Sequence, residues 1–574
     1  MSGLVKHLLP VLSAGAIRDF ERSASDPHTY QSDLLDRLLK RNQETAFGKD
    51  HDFSGIHHSA DYRKRVPIRD FEGFRPYVDR LVAGERNILT EEHPFVYATT
   101  SGTTGKPKLI PVTSHFREAL KTTSRVWLRR ALQDYSRLLD HTVLSAVSPA
   151  IEGYTDNGQP IGSMSGITYK NMPTLLRKQY TLPYTVMELK DYDLRYVIMM
   201  RIALEAQVSL AGAPNPSTWL RLATTGEAYA EQYIRAIRDG TLGNQDIKDL
   251  KTPSPSDQEK LDVLSARLRP NKRRAKELEH VVHNTGHLRP KDAWPHLALV
   301  GCWLGGSAGI QAKLLREYYG DAPMRDVGFR ASEAAVTVPI TDNTAAGVLA
   351  CDINYYEFIP ESEIESSAPI VLQAHELEVG KNYYLLLTTA SGLYRYDIND
   401  VIRVESYYRR APIIAFVRKG RDMVNLTGEK LHVNQVIEAL NTAEVRGPIN
   451  TAQFRIIPDL DNMRYDLLVE LVPGRNHDEE LETFLTRFDF GLADLNDEYY
   501  QKRVSRRLQA PRLVIMKPGW GEREKRRAVD SGKRETQFKW AVIQLEWNEV
   551  NQSEIHHLVE ARRTNMERDH SPPS

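Results

Sequence analysis

Hydrophobic residues recur along this chain at two alternating spacings. In residues 33–41 four leucines return at helical intervals, whereas residues 142–149, 297–304 and 383–388 are short continuous apolar runs, the pattern of buried strands. Residues 182–211 predict a strand followed by a helix. Because helical and strand patterns alternate, the body is predicted to be α/β, with mixed sheets and packed helices.

A second pattern begins after the turn residues 419–422, and it predicts a smaller α+β unit. Helices are expected at residues 431–440, 480–488 and 495–507, and strands at residues 465–472 and 512–516. We therefore predict three parts: a large domain over residues 1–420, a small α+β domain over residues 421–550, and a helix with a disordered tail over residues 551–574.

The composition is that of an ordinary globular protein. Of the 574 residues 41% are hydrophobic, and Lys plus Arg and Asp plus Glu are both 76. A chain without net charge has no global field to recruit nucleic acid or an anionic membrane, so neither is expected as a partner. Cys302 and Cys351 form no disulfide framework, the start of the chain is not a convincing signal peptide, and the apolar run 197–212 is too short to span a bilayer. A cytoplasmic protein is predicted, and its oligomeric state stays open.

A loop of hydroxyl groups and glycines is the first candidate for chemistry. It contains Ser101, Gly102, Thr103, Thr104, Gly105 and Lys108, and strand-like runs flank it at residues 94–98 and 109–112. Glycines let the backbone approach an anion, hydroxyls donate hydrogen bonds and lysines supply charge, so the loop is suited to phosphates. Its spacing differs from a Walker A loop, and Pro111 prevents a helix from starting at the lysine, so a hairpin-like loop is predicted. Taken alone, such a short segment is more often an ordinary turn.

Three later segments carry residues suited to a nucleotide. Gly305 and Gly306 follow an apolar strand and allow the backbone to lie against a flat ligand. Phe329 and Glu333 follow the next strand: an aromatic ring can stack on a purine, and a carboxylate can hold a Mg²⁺ that bridges phosphates. Asp400, expected at a strand-end turn, can accept hydrogen bonds from ribose hydroxyls. In isolation Phe329 is more often a core residue and Glu333 more often a solvated one.

Taken in order, these segments resemble the Gretchen Hagen 3 family of acyl-acid amido synthetases, which belongs to the acyl-adenylate-forming superfamily. Within that family the chain resembles a bacterial-type member. The matching motifs are Ser-Gly-Thr-Thr at residues 101–104, Phe-Arg-Ala-Ser-Glu at 329–333 for the family's Tyr-x-x-Ser-Glu, and Tyr-Arg-Tyr-x-x-x-Asp at 394–400. An upstream signature at residues 42–48 and 66–68 also fits. Three positions depart from the family: Arg330 replaces a small residue, Asn399 replaces Gly, and Trp540 follows Lys539 where Pro is frequent.

The resemblance implies a large domain that binds ATP and a carboxylic acid, and a mobile small domain that closes over it. The acid would be adenylated to acyl-AMP with release of pyrophosphate, and an amine, typically an amino acid, would then take the acyl group as an amide. The implied phosphate-binding residues are Ser101, Gly102, Thr103, Thr104, Gly105 and Lys108, and Ser332 is implied to bind the cofactor. Glu333 would hold Mg²⁺, Gly305, Gly306 and Phe329 would contact adenine, Asp400 the ribose, and Arg421 ribose or phosphate. Lys539 is implied to enter the adenylation site, and the alternative is that it is an ordinary solvated surface lysine.

Two alternatives remain open at this stage. An acyl-CoA synthetase shares the first half-reaction but passes the acyl group to a thiol. A nucleotide-binding protein that has lost its chemistry would act as a regulatory module, although retention of Lys108, Glu333 and Asp400 argues against it. The identity of the acid is not predicted, because acyl pockets differ in apolar shape alone.

Overall fold

The structure is a computed structural model that describes residues 6, 9–100, 108–364, 366, 368–420, 423–424, 426–427, 429, 431–445, 447–472, 480–504, 507–531, 535 and 538–560. These residues divide into two compact units. The first is drawn from Met1–Gly305, Ala312–Phe416 and Lys533–Gln537, and the second from Gly306–Gln311, Val417–Gly532 and Phe538–Ser574.

Helices occur along both units. Up to residue 320 they are α1 Ala14–Ser25, α2 Pro27–Asn42, α3 Ala46–Asp50, α4 Ser59–Arg65, α5 Phe71–Val82, α6 Ser114–Asp134, α7 Met164–Lys170, α8 Thr174–Arg177, α9 Tyr184–Met187, α10 Tyr192–Glu205, α11 Pro216–Ala228, α12 Ala230–Asp239, α13 Pro255–Ser265, α14 Lys272–Thr285, α15 Pro290–Ala293 and α16 Gly306–Tyr319. Later in the chain they are α17 Val433–Val445, α18 Leu481–Leu495, α19 Asp497–Val504, α20 Trp520–Asp530 and α21 Glu549–Ser553.

The strands are mostly short. In chain order they are β1 Val96–Thr100, β2 Lys108–Val112, β3 Thr142–Ser145, β4 Gly153–Tyr154, β5 Pro160–Ile161, β6 Val208–Gly212, β7 Leu299–Gly301, β8 Met324–Arg325, β9 Thr337–Val338, β10 Gly347–Leu349, β11 Tyr355–Pro360, β12 Asn382–Thr388, β13 Tyr396–Tyr408, β14 Ala411–Lys419, β15 Met423–Val424, β16 Leu431–His432, β17 Thr451–Asp459, β18 Arg464–Leu471, β19 Arg512–Met516 and β20 Ile555–Glu560.

Three of the sheets formed by the described residues build the body of the first unit. Their strand orders are β2-β1-β5-β4, β3-β6-β7-β8 and β11-β12-β13-β14-β10-β9. The strands of the second of these sheets are all parallel, so their carboxyl ends lie at one edge. Ligands of open parallel sheets bind outside such an edge. The predicted α/β class is confirmed.

Helix α2 shows how the sequence sets the local structure. Asp26 caps it by accepting a hydrogen bond from Thr29 N at 3.3 Å, Pro27 occupies its first turn, and the four leucines noted above are buried. Helix α6 is capped by Thr113, whose Oγ1 accepts a hydrogen bond from Phe116 N at 3.2 Å.

The prediction for residues 182–211 was wrong in its order. Helices α9 and α10 come first, and strand β6 follows at Val208–Gly212. Helix α10 is buried on nearly every side, so its apolar run lacks the helical periodicity that would have identified it. Its start is fixed by Asp191, which accepts a hydrogen bond from Leu194 N at 2.8 Å.

The second unit has its own core beneath a sheet of order β17-β18-β19-β20. Helices α17 and α18 approach closely at Gly491, where a Cβ would lie 3.1 Å from the Ala439 Cα. Strand β19 has the predicted bounds. The helix predicted from residue 551 ends at Ser553, and strand β20 follows as the edge of the sheet, because alternating side chains of residues 555–560 are half-buried. Residues 561–574 lie outside the described residues.

Glu429 is a buried carboxylate that holds the start of this unit together. It accepts hydrogen bonds from Leu426 N at 2.7 Å, from Thr427 N at 2.8 Å and from the Tyr465 hydroxyl. Burial raises the pKa of Glu429, but these hydrogen bonds outweigh burial and hold its pKa below the ordinary value of 4.5.

A carboxyl with a lowered pKa in the folded state stabilises the protein above its unfolded pKa, and this stability is lost as the pH falls through the folded value. We expect Glu429→Gln to lower the melting temperature at pH 7 and to flatten its decline below about pH 4.5. Thermal unfolding of the wild type and the variant between pH 3 and pH 8 tests this. Parallel acid-side profiles would contradict the role given to the ionised carboxylate.

Candidate functional site

The site lies at the carboxyl ends of β7 and β8. These neighbouring parallel strands deliver residues 302–306 and 326–333 to the same edge of the sheet. Gly305 is the N-cap residue of α16, and a Cβ on it would lie 2.9 Å from the Ala345 Cβ. Gly306 is the first residue of this helix and has φ 56°.

Asp326 joins the two segments. Its Oδ2 accepts from Leu304 N at 2.7 Å and its Oδ1 accepts from Gly328 N at 2.7 Å. Gly328 has φ 97°, and a Cβ there would lie 2.6 Å from the Thr337 carbonyl oxygen, so only glycine fits. Burial raises the pKa of Asp326 to about 7, against the lowering effect of these two backbone donors. Asp326 is not among the site residues predicted from sequence, although its place directly after a buried strand was a signal.

Phe329 lies beside Gly305 in this frame. It is half-buried, its backbone N donates to Thr337 Oγ1 at 2.9 Å, and its ring packs against Phe416 with centroids 5.5 Å apart. A Cβ on Gly305 would lie 3.8 Å from the Phe416 carbonyl oxygen. Phe329 and Gly305, both candidates for adenine contact, thus share Phe416 as a neighbour.

Glu333 and the third motif meet through Tyr396. The Tyr396 hydroxyl donates to Glu333 Oε1 at 3.4 Å, and Glu333 is only 7% exposed. Burial raises the pKa of Tyr396, and the carboxylates of Glu333, Asp397 and Asp400 raise it further, so the hydroxyl stays a donor. Tyr396 is 63 positions from Glu333 in sequence, and it was not among the predicted site residues.

Asp400 was predicted to lie at a strand-end turn, and this prediction was wrong. It lies within β13, in a bulge where residues 398–400 face the single residue Leu385, since Leu386 pairs with Asp397 and Tyr384 with Val401. Asn399 has φ 58°, a left-handed conformation that glycine and asparagine adopt most readily. The departure at Asn399 therefore keeps the backbone that glycine would allow, and Asp400 is buried.

Arg395 fixes the start of this bulged strand. Its backbone has φ 47°, and its Nε donates to Glu357 Oε2 at 2.8 Å while Nη1 donates to the Val66 carbonyl at 2.9 Å. Arg63 donates to the other oxygen of Glu357 at 2.9 Å. A buried carboxylate held by two guanidiniums ties the upstream segment near residue 66 to the segment that carries Tyr396.

The predicted hairpin is present around the candidate phosphate loop. Strands β1 and β2 are antiparallel, with Thr100 opposite Lys108. The Lys108 Nζ lies 5.7 Å from the centroid of the Phe71 ring. Ser101, Gly102, Thr103, Thr104 and Gly105 lie outside the described residues, as does Arg421, so their predicted roles stay predictions. Lys539 is exposed in the second unit.

The donor set is consistent with Mg²⁺ and ATP. Among the described residues no group of three or more His, Cys, Asp or Glu side chains could hold a metal ion by itself. Mg²⁺ usually takes one or two protein carboxylates and completes its shell with phosphates and water, so the single buried carboxylate of Glu333 fits that ion with a nucleotide. Of the helices in the described ranges, none has the length and apolar character needed to cross a membrane.

Comparison with known proteins gives a consistent result. Models of the GH3 family match in three pieces: the N-terminal domain at residues 16–324, the central domain at 347–419 and the C-terminal domain at 432–546. The indole-3-acetic acid-amido synthetase GH3.15 of Arabidopsis thaliana is 24% identical over 436 residues, covering 72% of both chains. The jasmonoyl–L-amino acid synthetase JAR4 of Nicotiana attenuata is 22% identical over 434 residues, covering 72% of this chain and 73% of the relative. A solved GH3.15 acyl acid amido synthetase in complex with 2,4-DB has the same fold, with a TM-score of 0.81 at 19% identity over 96% of this chain and 98% of that one.

Proposed function

Because this chain belongs to the GH3 family, we propose that it is an ATP-dependent acyl-acid amido synthetase, a ligase that forms an amide through an acyl-adenylate. In the first half-reaction the carboxylate of the acid attacks the α-phosphate of ATP, and acyl-AMP and pyrophosphate result. In the second, the nitrogen of an amine, by our proposal an amino acid, displaces AMP from the acyl carbonyl. The observation that carries this proposal is the Tyr396–Glu333 hydrogen bond, because it joins the second and third motifs into one buried cluster.

Each described residue of the site has a separate proposed role in the first half-reaction. Asp400, fixed in its bulge, accepts from the ribose hydroxyls, and Phe329 with Gly305 and Gly306 contacts adenine. Glu333, oriented by Tyr396, is the residue that would hold Mg²⁺. When bound, that ion would neutralise charge on the departing pyrophosphate. Buried donors and carboxylates fixed beforehand need no reorganisation during reaction, which is why such groups contribute strongly to rate.

The remaining assignments are also part of the proposal. The phosphates are bound by Ser101, Gly102, Thr103, Thr104, Gly105 and Lys108, and Ser332 contributes to cofactor binding. Arg421 binds ribose or phosphate, and Lys539 acts in adenylation. The large domain ends near residue 420 and the small domain reorients about residues 419–422 between the half-reactions, because a water-poor adenylation site has to open for a second substrate. A cytoplasmic location and a bacterial type stay predictions.

The nature of the acceptor separates this proposal from its nearest rival. One relative is named as an indole-3-acetic acid-amido synthetase and another as a jasmonoyl–L-amino acid synthetase. An acyl-CoA synthetase would share the first half-reaction and differ only in the second. We expect wild-type protein supplied with ATP, Mg²⁺, a competent acid, mixed amino acids and CoA to give an acyl–amino acid product, with no need for CoA.

Mass spectrometry of this reaction, run with and without CoA, checks the acceptor directly. Acyl-CoA as the only product would overturn the amide assignment while leaving adenylation intact. Absence of any acid-dependent ATP–pyrophosphate exchange across a broad panel of acids would favour the non-enzyme alternative.

A further inference from the structure

Arg330 adds a cation to the segment of the proposed site that runs from Phe329 to Glu333. Its Nε donates to the Val327 carbonyl at 3.1 Å, Nη1 donates to Ser124 Oγ at 3.1 Å, and Nη2 donates to Thr123 Oγ1 at 3.2 Å. The side chain is half-buried and lies against helix α6. A guanidinium has five N–H donors in a planar fork, so these contacts leave one N–H on each terminal nitrogen.

All three oxygens that hold this guanidinium are neutral. Within the part of the chain that the structure describes, Arg330 forms no ion pair with a carboxylate. Asp326 is the acidic group that acts on it electrostatically, but both Asp326 oxygens already accept from backbone N–H groups. Burial lowers the pKa of Arg330 to about 10, so the side chain is still positively charged at neutral pH. A half-buried cation whose fixed partners are neutral is the electrostatic arrangement of an anion site.

The place of Arg330 in its motif narrows the choice of anion. ATP and the reacting carboxylate are common to every adenylation, and the family motif serves them with a small residue at this position. An added guanidinium therefore points to a substrate that differs among such enzymes, which is either the remainder of the acid or the amine. Phe329 and Glu333, which flank Arg330 in sequence, are proposed to act in adenylation, before the amine binds, so we assign Arg330 to the remainder of the acid.

We propose that Arg330 is a specificity-determining residue that selects acids carrying a second anionic or strongly hydrogen-bond-accepting group, with dicarboxylic acids as the simplest case. This inference rests on the proposed function and names its substrate class. The two remaining N–H donors, one on each terminal nitrogen, can donate to the two oxygens of one carboxylate, and such paired donation makes arginine more selective than lysine for these groups.

Matched pairs of acids with one carbon skeleton test the proposal: hexanoate with adipate, and octanoate with suberate. The measured quantity is kcat/KM for acid-dependent ATP–pyrophosphate exchange, taken as the ratio of diacid to monoacid within each pair. Arg330→Met keeps the length of the side chain and removes its charge. Ser124→Ala is the control that removes one support from the guanidinium and keeps its charge.

We expect wild type to prefer the diacids, and Arg330→Met to lower the diacid-to-monoacid ratio about 10- to 100-fold, as the loss of a hydrogen bond to a charged group does. The KM for ATP and the Ser124→Ala ratio should stay near wild type. Equal losses for both acids in Arg330→Met would show that the residue only braces α6 and would overturn the proposal, as would a wild-type preference for monoacids. If monoacids support exchange and diacids do not, this inference is overturned and the proposed function stands. If none of the acids supports exchange, both are overturned.

Discussion

Glu333→Gln is expected to reduce acid-dependent ATP–pyrophosphate exchange by about two orders of magnitude, as the loss of a single electrostatic stabiliser does. The substitution removes one charge and keeps the shape of the side chain, and Gln can still accept the hydrogen bond that Tyr396 donates at 3.4 Å. The fold should therefore persist, and the effect should appear in exchange rather than in thermal stability. The loss should be largest at low Mg²⁺ concentration, because a carboxylate contributes more to ion affinity than an amide does.

Two further variants serve as a control and a comparison for Glu333→Gln. Glu378→Gln makes the same change at an exposed glutamate of the first unit and should leave exchange unchanged. Tyr396→Phe removes the hydroxyl that orients Glu333 and keeps the carboxylate, so its loss should be smaller than that of Glu333→Gln. Near-normal exchange by Glu333→Gln at limiting Mg²⁺ would remove Glu333 from the proposed metal site.

Local sequence was sufficient for the elements whose signals are local. The leucines of α2 recur at helical spacing next to a capping Asp26, and the apolar runs around the phosphate loop pair as a hairpin. Strand β19 is a continuous apolar run with clear ends, and its bounds were predicted correctly. In each case the side chains that decide the structure lie within a few positions of one another.

The parts that sequence did not predict depend on distant residues. The bulge that holds Asp400 is defined by the register of β13 against β12, which no local pattern encodes. Tyr396 becomes a partner of Glu333 only after two sheets have formed in the first unit. Asp326 connects segments that follow different strands, and its role is visible only when Leu304 and Gly328 lie on either side of it.

The departure at Trp540 also has a structural reason within the second unit. The Trp540 ring lies 4.4 Å from the Arg455 guanidinium carbon, and Trp520 lies 5.4 Å away on the same cation. Trp540 Nε1 donates to the Phe454 carbonyl at 2.5 Å, and Arg455 Nε donates to the Ala541 carbonyl at 2.9 Å. Residues 540 and 541 are thereby held against β17 and α20, and the exposed Lys539 is the residue just before this anchor.

Lys539→Ala is expected to slow acyl-AMP formation in a single turnover by about two orders of magnitude, the loss found for a fixed group that stabilises developing charge. The alternative is a solvated surface lysine, for which the rate would not change. Lys517→Ala is the matched control, since it removes another exposed lysine of the same unit, whose Nζ donates to the Ser553 carbonyl. Thermal unfolding of both variants should match wild type, because neither ammonium group is buried.

The anchor makes a further distinction between these alternatives. Trp540→Ala empties the space beside Arg455, so it should cost about 3–5 kcal/mol of stability, as large-to-small aromatic changes do. If residue 540 positions Lys539, the same variant should slow adenylation about 10- to 100-fold at a temperature where near-ultraviolet circular dichroism shows it folded. Trp540→Phe keeps an aromatic face over the guanidinium and loses only the hydrogen bond to Phe454, so it should recover most of the rate. If folded Trp540→Ala and Lys539→Ala both form acyl-AMP at the wild-type rate, Lys539 is a solvated surface residue with no role in adenylation.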